Sequence, residues 1–181
     1  ADNWRQITDD AWVLDTVRHG LTWEFHTEPP LTKQPVDIPA HTTEASREVY
    51  DKIIQDDINL GIIEEVSEQE IRNYAGFYSR FFIVPKRGLD EQGNTRWRSV
   101  LDLSTLGKYI KIPRFKMETP ESIRSVLMPD EWTASIDLSD AYHHIAIHQD
   151  YRRFLRFVYN GKVYQYAAMP LGLSVSPWAF T

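Results

Sequence analysis

The amino-acid sequence predicts an α+β fold, in which paired strands alternate along the chain with helices. Two segments with alternating apolar residues flank Gly93 and Asn94, and two more flank Asn160 and Gly161, so each set predicts a β-hairpin. Apolar residues at helical spacing between 49 and 58 predict a helix. With 181 residues, of which 42% are hydrophobic, the chain can bury a core of ordinary size.

The first 45 residues predict an N-terminal arm that lies outside the core. Residues 9–20, "DDAWVLDTVRHG", favour a short helix with Asp9 or Asp10 as its N-cap and Gly20 as its end. A proline-rich extended stretch follows. Thr43 then predicts the N-cap of a second helix that ends at Gly61, and residues 62–67, "IIEEVS", predict a short strand or turn.

The first hairpin joins the strands 78–88, "YSRFFIVPKRG", and 96–104, "RWRSVLDLS". Its tip gathers four cations, namely Lys86, Arg87, Arg96 and Arg98. Although the net charge of −6 argues against a nucleic-acid binder, residues 80–124 hold ten Lys/Arg and five Asp/Glu. Because salt screens charge beyond about 10 Å, such a local stretch can contact phosphates. The alternative is a solvated surface.

The C-terminal part predicts one more helix start, a core strand and a second hairpin. Thr119 caps a helix with Pro120 in its first turn, and Ser122 at the third position predicts that no capping box forms. Residues 132–138 predict a buried strand, and 153–169 predict the hairpin around Asn160. Ser176 predicts the cap of a last helix. Because a compact domain rarely ends in a helix's first turns, we expect a fragment.

The chain has no cysteine, which excludes disulfides and thiolate metal sites and fits a reducing compartment. No apolar run approaches the roughly 18 residues of a membrane span, and no signal peptide opens the chain. We therefore expect an intracellular protein, cytoplasmic or nuclear, without a membrane partner.

The stretch 136–150, "IDLSDAYHHIAIHQD", places Asp137 at the end of the predicted core strand, although burying a charge costs several kcal/mol. Three histidines follow within six residues. On a strand, His144 and His148 share one face and His143 the other, so the spacing disfavours a three-histidine zinc site.

Four segments in order resemble the fingers and the first half of the palm of a reverse transcriptase of the long-terminal-repeat or DIRS-like retrotransposon type. They are the basic hairpin "FIVPKRG…TRWRSVLDLSTLGKYI", the strand "ASIDLSDAYHHIAIH", the pair "RFLRFVYNGKVYQY" and the loop "AAMPLGLSVSPWAF". The resemblance covers about residues 46–181. It implies an N-terminal arm at 1–45, fingers at 46–118 and a partial palm at 119–181.

The resemblance implies two-metal phosphoryl transfer with Mg²⁺, for which Mn²⁺ is the alternative, in which Asp137 is the first catalytic aspartate and the Leu138 carbonyl a further ligand. A helix-capping role remains an alternative for Asp137, and is favoured for Asp140 together with a supporting role near the nucleotide. Asp140, Ala141 and Tyr142 are expected beside the nucleotide, with Tyr142 excluding a ribose 2′-hydroxyl. Alternatively, Tyr142 is a core residue.

The resemblance further implies that Lys86 and Arg98 bind the triphosphate, unless the hairpin tip is merely solvated. Arg87 and Arg96 are expected to contact nucleic acid. In the loop 169–172, "MPLG", Leu171 and Gly172 are expected near the nucleotide and Pro170 near the template strand.

The parent enzyme would extend a primer on an RNA or DNA template with deoxynucleoside triphosphates. It would include the remaining palm, a thumb and, in some members of the family, an RNase H domain. The family's aromatic-x-Asp-Asp motif is absent from the 181 residues, so we expect this chain alone to be inactive. Two alternatives remain: a domesticated, non-catalytic binding module that keeps the fold, and a nucleotidyltransferase with another product, such as a primase.

Overall fold

The structure is a computed structural model that describes residues 3–39, 44–89, 92–128 and 130–181, with only the backbone of 44 and 45. Five strands and six α-helices occur in these ranges. The strands are β1 (Ile63–Glu65), β2 (Arg80–Leu89), β3 (Thr95–Asp102), β4 (Arg156–Tyr159) and β5 (Lys162–Tyr166). The helices are α1 (Ala11–His19), α2 (Glu44–Asn59), α3 (Glu68–Asn73), α4 (Pro120–Val126), α5 (Gln149–Arg152) and α6 (Ser176–Phe180). Short 3₁₀ turns cover Trp4–Gln6, Leu106–Lys108 and Ala141–His144.

The strands form two antiparallel sheets, one in the order β1-β5-β4 and the other a hairpin of β2 and β3. Asn160 and Gly161 both have positive φ, at 48° and 74°, as a tight two-residue hairpin turn requires. Both predicted hairpins are therefore confirmed, although residues 90 and 91 of the first loop lie outside the described ranges. The rings of Phe81 and Phe157 stack at 4.4 Å and join the two sheets in one core.

Local signals placed the ends of the first helix correctly. The Asp10 carboxylate accepts the backbone N–H groups of Trp12 at 2.8 Å and Val13 at 3.1 Å, and Gly20 follows the last helical residue with φ of 93°. The Thr43 cap predicted for α2 lies outside the described residues. At the other end of α2, Gly61 has φ of 70°.

The expectation that the arm lies outside the core is wrong for residues 21–23. Leu21 is fully buried and Trp23 nearly so, and the Leu21 N–H donates to the Ala146 carbonyl at 2.7 Å. Leu21 forms a bridge with Ile147, and the Trp23 ring packs edge-on against those of Tyr151 and Phe154. These contacts are distant in the sequence, which shows the two residues only as apolar positions in a polar stretch.

The predicted core strand at 132–138 is also wrong, because the segment has no regular secondary structure and forms no ladder with any described residue. Trp132 is fully exposed and Ile136 nearly so. A strand needs a neighbour that satisfies its backbone N–H and C=O groups, and apolar content alone does not supply one. The strand alternation expected at 143–148 fails similarly, since His143 and His144 belong to a 3₁₀ turn and only single bridges form at Ala146 and Ile147.

Two predictions about caps are wrong. Thr119 and Ser122 do form a capping box: the Ser122 N–H donates to Thr119 Oγ1 at 3.2 Å, and the Thr119 N–H donates to Ser122 Oγ at 2.9 Å. A serine hydroxyl thus replaces the usual Glu or Gln. The cap of α6 is Val175, while Ser176 is buried and its hydroxyl donates to the Pro170 carbonyl at 3.4 Å.

A buried arginine joins α3 to the sheet. Arg156 is inaccessible to solvent, and its guanidinium donates to Glu70 at 3.1 Å, to Gln165 at 3.1 Å and to the Tyr74 carbonyl at 2.9 Å. Gly76 leaves room for this side chain, because a Cβ there would lie 2.6 Å from Arg156 Cδ. In the described part of the chain, no helix is both long enough and apolar enough to cross a membrane.

Candidate functional site

An open cavity of about 680 Å³ lies between the β2–β3 hairpin and the segment 137–143. The lining residues from the hairpin are Pro85, Lys86, Arg87, Arg96 and Arg98. The facing segment contributes all seven residues from Asp137 to His143, and Leu171 completes the lining. The cavity therefore places a cluster of four cations opposite the carboxylates of Asp137 and Asp140.

The fold brings ten of the twelve predicted site residues to this cavity, and the two exceptions lie in the loop before α6. Pro170 is buried and Gly172 is exposed, but neither lines the cavity. Gly172 has φ of 94°, and a Cβ there would lie 3.0 Å from the Leu101 carbonyl oxygen. Its close backbone approach is thus to β3, whereas the sequence analysis expected an approach to nucleotide or template.

The register of the hairpin positions the basic residues. Val84 pairs with Arg98 and Pro85 with Trp97, and an irregularity then shifts the register before Leu89 pairs with Thr95. Strand alternation places Arg96 on the same face as Arg98 but nearer the tip. Both arginines are exposed, so their guanidinium groups are accessible to a ligand in the cavity.

Lys86 spans the cavity wall and forms an ion pair with Asp140. Its ammonium lies 2.8 Å from Asp140 Oδ1, and the Lys86 side chain is only 17% exposed. The hydrogen bond from Lys86 holds the pKa of Asp140 below its ordinary value, and the charges of Lys86, His143 and Arg98 act in the same direction. The Lys86 side chain is therefore not the freely solvated tip that the sequence left open.

Asp140 does not cap the turn that follows it. Its backbone is left-handed, with φ of 47°, and its side chain makes no capping hydrogen bond, because the carboxylate is directed to Lys86. The ion pair with Lys86 is a long-range role of Asp140, and no local sequence signal could distinguish that role from a helix cap.

Asp137 lies at the cavity edge and is exposed rather than buried as predicted. Within the described ranges, its carboxylate forms no ion pair or hydrogen bond, so its oxygens are available to a ligand. Carboxylate oxygen suits Mg²⁺, and the adjacent Leu138 carbonyl adds another oxygen of the same kind. Among the described residues, no group of three His, Cys, Asp or Glu could enclose a metal ion.

Tyr142 and His143 form one end of the cavity. Tyr142 is half-buried, and its ring meets that of Phe180 edge-on at 5.5 Å. Burial lowers the pKa of His143, whose Nδ1 is sealed from solvent without a partner among the described residues. His143, Ser139 and Pro85 also line the cavity, although none of them was predicted to do so. Each is next to a predicted site residue in the sequence, which could have indicated this position, but only the fold determines which side chains reach the cavity.

Comparison with known proteins shows that the chain is similar in sequence to polyproteins of viruses and transposons. No family model matches it. A putative enzymatic polyprotein of Cassava vein mosaic virus is 25% identical over 153 residues, which are 84% of this chain and 21% of that protein. The retrovirus-related Pol polyprotein from transposon 297 of Drosophila melanogaster is 25% identical over 166 residues, covering 92% of this chain and 14% of that protein. The chain thus spans about a fifth or less of these relatives.

The fold has counterparts among solved structures. A foamy viral protease-reverse transcriptase, solved in complex with dsDNA, matches with a TM-score of 0.64 at 20% identity, over 99% of this chain and 37% of that one. The predicted α+β class and the resemblance are confirmed. The chain is therefore a relative of retroviral and retrotransposon Pol polyproteins, with the fold of part of a reverse transcriptase.

Proposed function

We propose that this chain is the fingers and the first half of the palm of an RNA-directed DNA polymerase, and that its cavity binds the incoming deoxynucleoside triphosphate. One observation supports this above all: four cationic side chains from the hairpin and the available carboxylate of Asp137 line the same cavity. A triphosphate with a bound divalent cation has the matching charges.

In this proposal, the hairpin binds the phosphates. Arg98 presents a planar fork of donors that can bind phosphate oxygens in a bidentate way, whereas Lys86 acts as a point charge. The exposed Arg87 and Arg96 extend the positive surface toward the hairpin tip, where a nucleic-acid backbone would bind with a strong salt dependence.

The facing segment orients the sugar and the metal. The ring of Tyr142, supported by Phe180, would exclude a ribose 2′-hydroxyl by contact with C2′, with Ala141 and Leu171 near the base and sugar. Asp137 and the Leu138 carbonyl would hold Mg²⁺, or Mn²⁺, which when bound activates the attacking hydroxyl and neutralises charge on the phosphates. Asp140 keeps Lys86 in place.

Polymerisation requires more metal ligands than these residues supply. The sequence has no aromatic-x-Asp-Asp motif, and Asp137 alone cannot hold two ions. We therefore expect no templated primer extension by the 181 residues with Mg²⁺ or Mn²⁺. Extension above background that Asp137→Ala abolishes would overturn this part of the proposal.

Further polypeptide of the polymerase is the proposed partner of an apolar surface. Val126 is exposed on α4, and Trp132 and Ile136 are exposed on the irregular segment that leads to Asp137. Contact with further polypeptide would remove these apolar side chains from water. The rest of the palm, a thumb and, where present, an RNase H domain would be intracellular, in the cytoplasm or the nucleus, with a primed RNA or DNA template.

Substitution of Asp137 in a longer polymerase that contains these residues tests the proposal. Asp137→Asn should lower turnover by orders of magnitude while primer–template affinity stays within a few fold, since a metal ligand acts mainly in the transition state. Unchanged turnover would exclude Asp137 as the catalytic residue. A longer protein that binds primer–template but has no turnover before substitution would instead support the non-catalytic binding module.

A further inference from the structure

A buried carboxyl group lies behind the basic hairpin. Asp57 of α2 is only 8% exposed, and its Oδ2 is sealed from solvent without a hydrogen-bond partner among the described residues. A charged carboxylate is costly in such a place, because burial removes its water. The group belongs to none of the predicted site residues and does not line the cavity.

The position of Asp57 follows from the register of α2 against the hairpin. Tyr50, Ile54 and Asp57 are spaced by four and three residues, so they share one helical face, and all three are buried. The Ile83 N–H of β2 donates to the Tyr50 hydroxyl at 3.3 Å, and Ile83 pairs with Ser99 of β3. This face of α2 therefore packs on the hairpin.

The charged and titratable groups around Asp57 come from four elements. They are Asp56 of α2, Lys86 of β2, Asp140 of the cavity segment and Tyr166 of β5. The pKa of Asp57 is raised to about 6, chiefly by burial. The charges of Asp56 and Asp140 act in the same direction, whereas a hydrogen bond from Ser99 and the charge of Lys86 oppose the rise. Burial also raises the pKa of Tyr166, with Asp57 acting in the same direction, so Tyr166 remains neutral.

Lys86 pairs directly with Asp140, and the buried Asp57 lies on the face of α2 that packs on the same hairpin. We propose that Asp57 is a positioning residue that sets the charge balance around Lys86 and gains a proton when a polyphosphate occupies the cavity. The inference rests on the proposed binding of a triphosphate there. Protonation of Asp57 would remove one buried negative charge when the negatively charged ligand enters the cavity.

The expected pH dependence follows from linkage. A ligand that favours the protonated form of Asp57 must, reciprocally, bind that form more tightly. Above about pH 6 the Asp57 carboxylate is ionised and opposes binding of the negatively charged ligand. Below about pH 6 the carboxyl group is neutral. Affinity should therefore decrease as pH rises through the pKa of Asp57, and Asp57→Asn should remove this decrease.

The test measures the dissociation constant of magnesium dTTP for the full 181-residue chain from pH 5 to pH 8.5. The Asp57→Asn variant should bind about fivefold more tightly than the wild type at pH 8, because the neutral side chain removes one buried negative charge that repels the ligand. The advantage should vanish near pH 5. Asp56→Asn is the matched control, since Asp56 is the exposed neighbour on the same helix, and it should change affinity less than twofold at every pH.

At each pH, the dissociation constants of the three proteins are compared as ratios. Ionisation of the ligand and of His143 affects all three proteins equally, so it cancels in these ratios. A ratio that does not change with pH would overturn the role of Asp57 while leaving the cavity's function intact. No binding by the wild type, or binding that neither Lys86→Met nor Arg98→Ala weakens, would overturn the proposed function and this inference with it.

A second measurement needs no substitution that could disturb folding. Carbon-13 NMR titration of the Asp57 carboxyl in the wild type reports its protonation directly. Its midpoint should rise by several tenths of a pH unit or more when saturating magnesium dTTP is present, as a fivefold linkage requires. An unchanged midpoint with ligand bound would contradict the proposal.

Discussion

The Lys86 ammonium and Asp140 Oδ1 lie 2.8 Å apart, although 54 residues separate them in the sequence. This contact joins the basic hairpin to the turn that follows Asp137, and so fixes two walls of the cavity against each other. A polyphosphate entering the cavity would compete with Asp140 for the ammonium, which gives the pair a role in both stability and binding.

The pair should stabilise the protein only where Asp140 is ionised. The native pKa of Asp140 is lowered, chiefly by the hydrogen bond from Lys86, so its contribution is fully present above the ordinary value of 3.8 and is lost as pH falls through the lower native value. Because the Asp140 side chain is 42% exposed, solvent screening limits the contribution to about 1 kcal/mol or less. Urea unfolding of wild type and Asp140→Asn between pH 2.5 and 6 should show a difference that disappears in acid. A difference of constant size would mean that the pair does not titrate as described.

Asp57 should show the opposite dependence. Its native pKa, about 6, is higher than its ordinary value of 3.8, so the ionised group destabilises the fold above pH 6 and the neutral group does not below pH 4. Asp57→Asn should therefore raise the free energy of unfolding at pH 8 by up to about 3 kcal/mol. The gain should fall between pH 6 and pH 4, whereas Asp56→Asn should show no such step. Chemical denaturation at five pH values measures both, and destabilisation by Asp57→Asn at pH 8 would contradict the buried-charge argument.

Arg98 and Arg96 should differ in what they bind. In a longer polymerase, Arg98→Ala should lower the specificity constant for nucleotide about 10- to 150-fold, as expected for loss of a charge-assisted contact. Arg96→Ala should instead weaken primer–template binding and reduce its salt dependence, because Arg96 lies nearer the tip on the same face. Steady-state nucleotide kinetics and a salt titration of template binding separate the two. Equal, small effects on nucleotide kinetics would favour a solvated hairpin and remove Arg98 from the site.

Tyr142 should discriminate between sugars. Replacement by Ala opens the space beside C2′, so a polymerase with Tyr142→Ala should incorporate ribonucleotides at a higher rate relative to deoxynucleotides. Phe180→Ala removes only the edge-on support of the ring, found at 5.5 Å, and should produce a smaller change in the same direction. Single-nucleotide incorporation with matched ribo- and deoxynucleotides gives the ratio. An unchanged ratio in Tyr142→Ala would assign this tyrosine to the core.

Arg156 should be critical for stability. Arg156→Ala leaves Glu70 and Gln165 without their buried partner, and removal of one partner of a buried ion pair costs about 3–5 kcal/mol. Arg72→Ala, which breaks an exposed pair with Glu68 on α3, should cost less than about 1 kcal/mol. Gly76→Ala should also destabilise, because the added Cβ meets the Arg156 side chain. Comparable midpoints for all three variants in urea would contradict this account of the network.

Short-range signals in the sequence determined the hairpins, the ends of the first helix and the candidate residues. The Asp10 cap and the Asn160–Gly161 turn each depend on a few consecutive residues, whose backbone preferences follow from their residue types. The motifs around Lys86, Arg98 and Asp137 could be recognised for the same reason, since each is a local string of residues.

Tertiary structure alone decided which residues were buried and which were paired. Leu21 and Trp23 entered the core, whereas the equally apolar segment 132–138 stayed exposed, because burial depends on a surface offered by distant parts of the chain. The Lys86–Asp140 pair joins elements far apart in sequence, and such elements also seal the Asp57 carboxyl from solvent. Periodicity predicts how a residue is oriented on its own helix or strand, but the free energy of a charge depends on what the fold places against it.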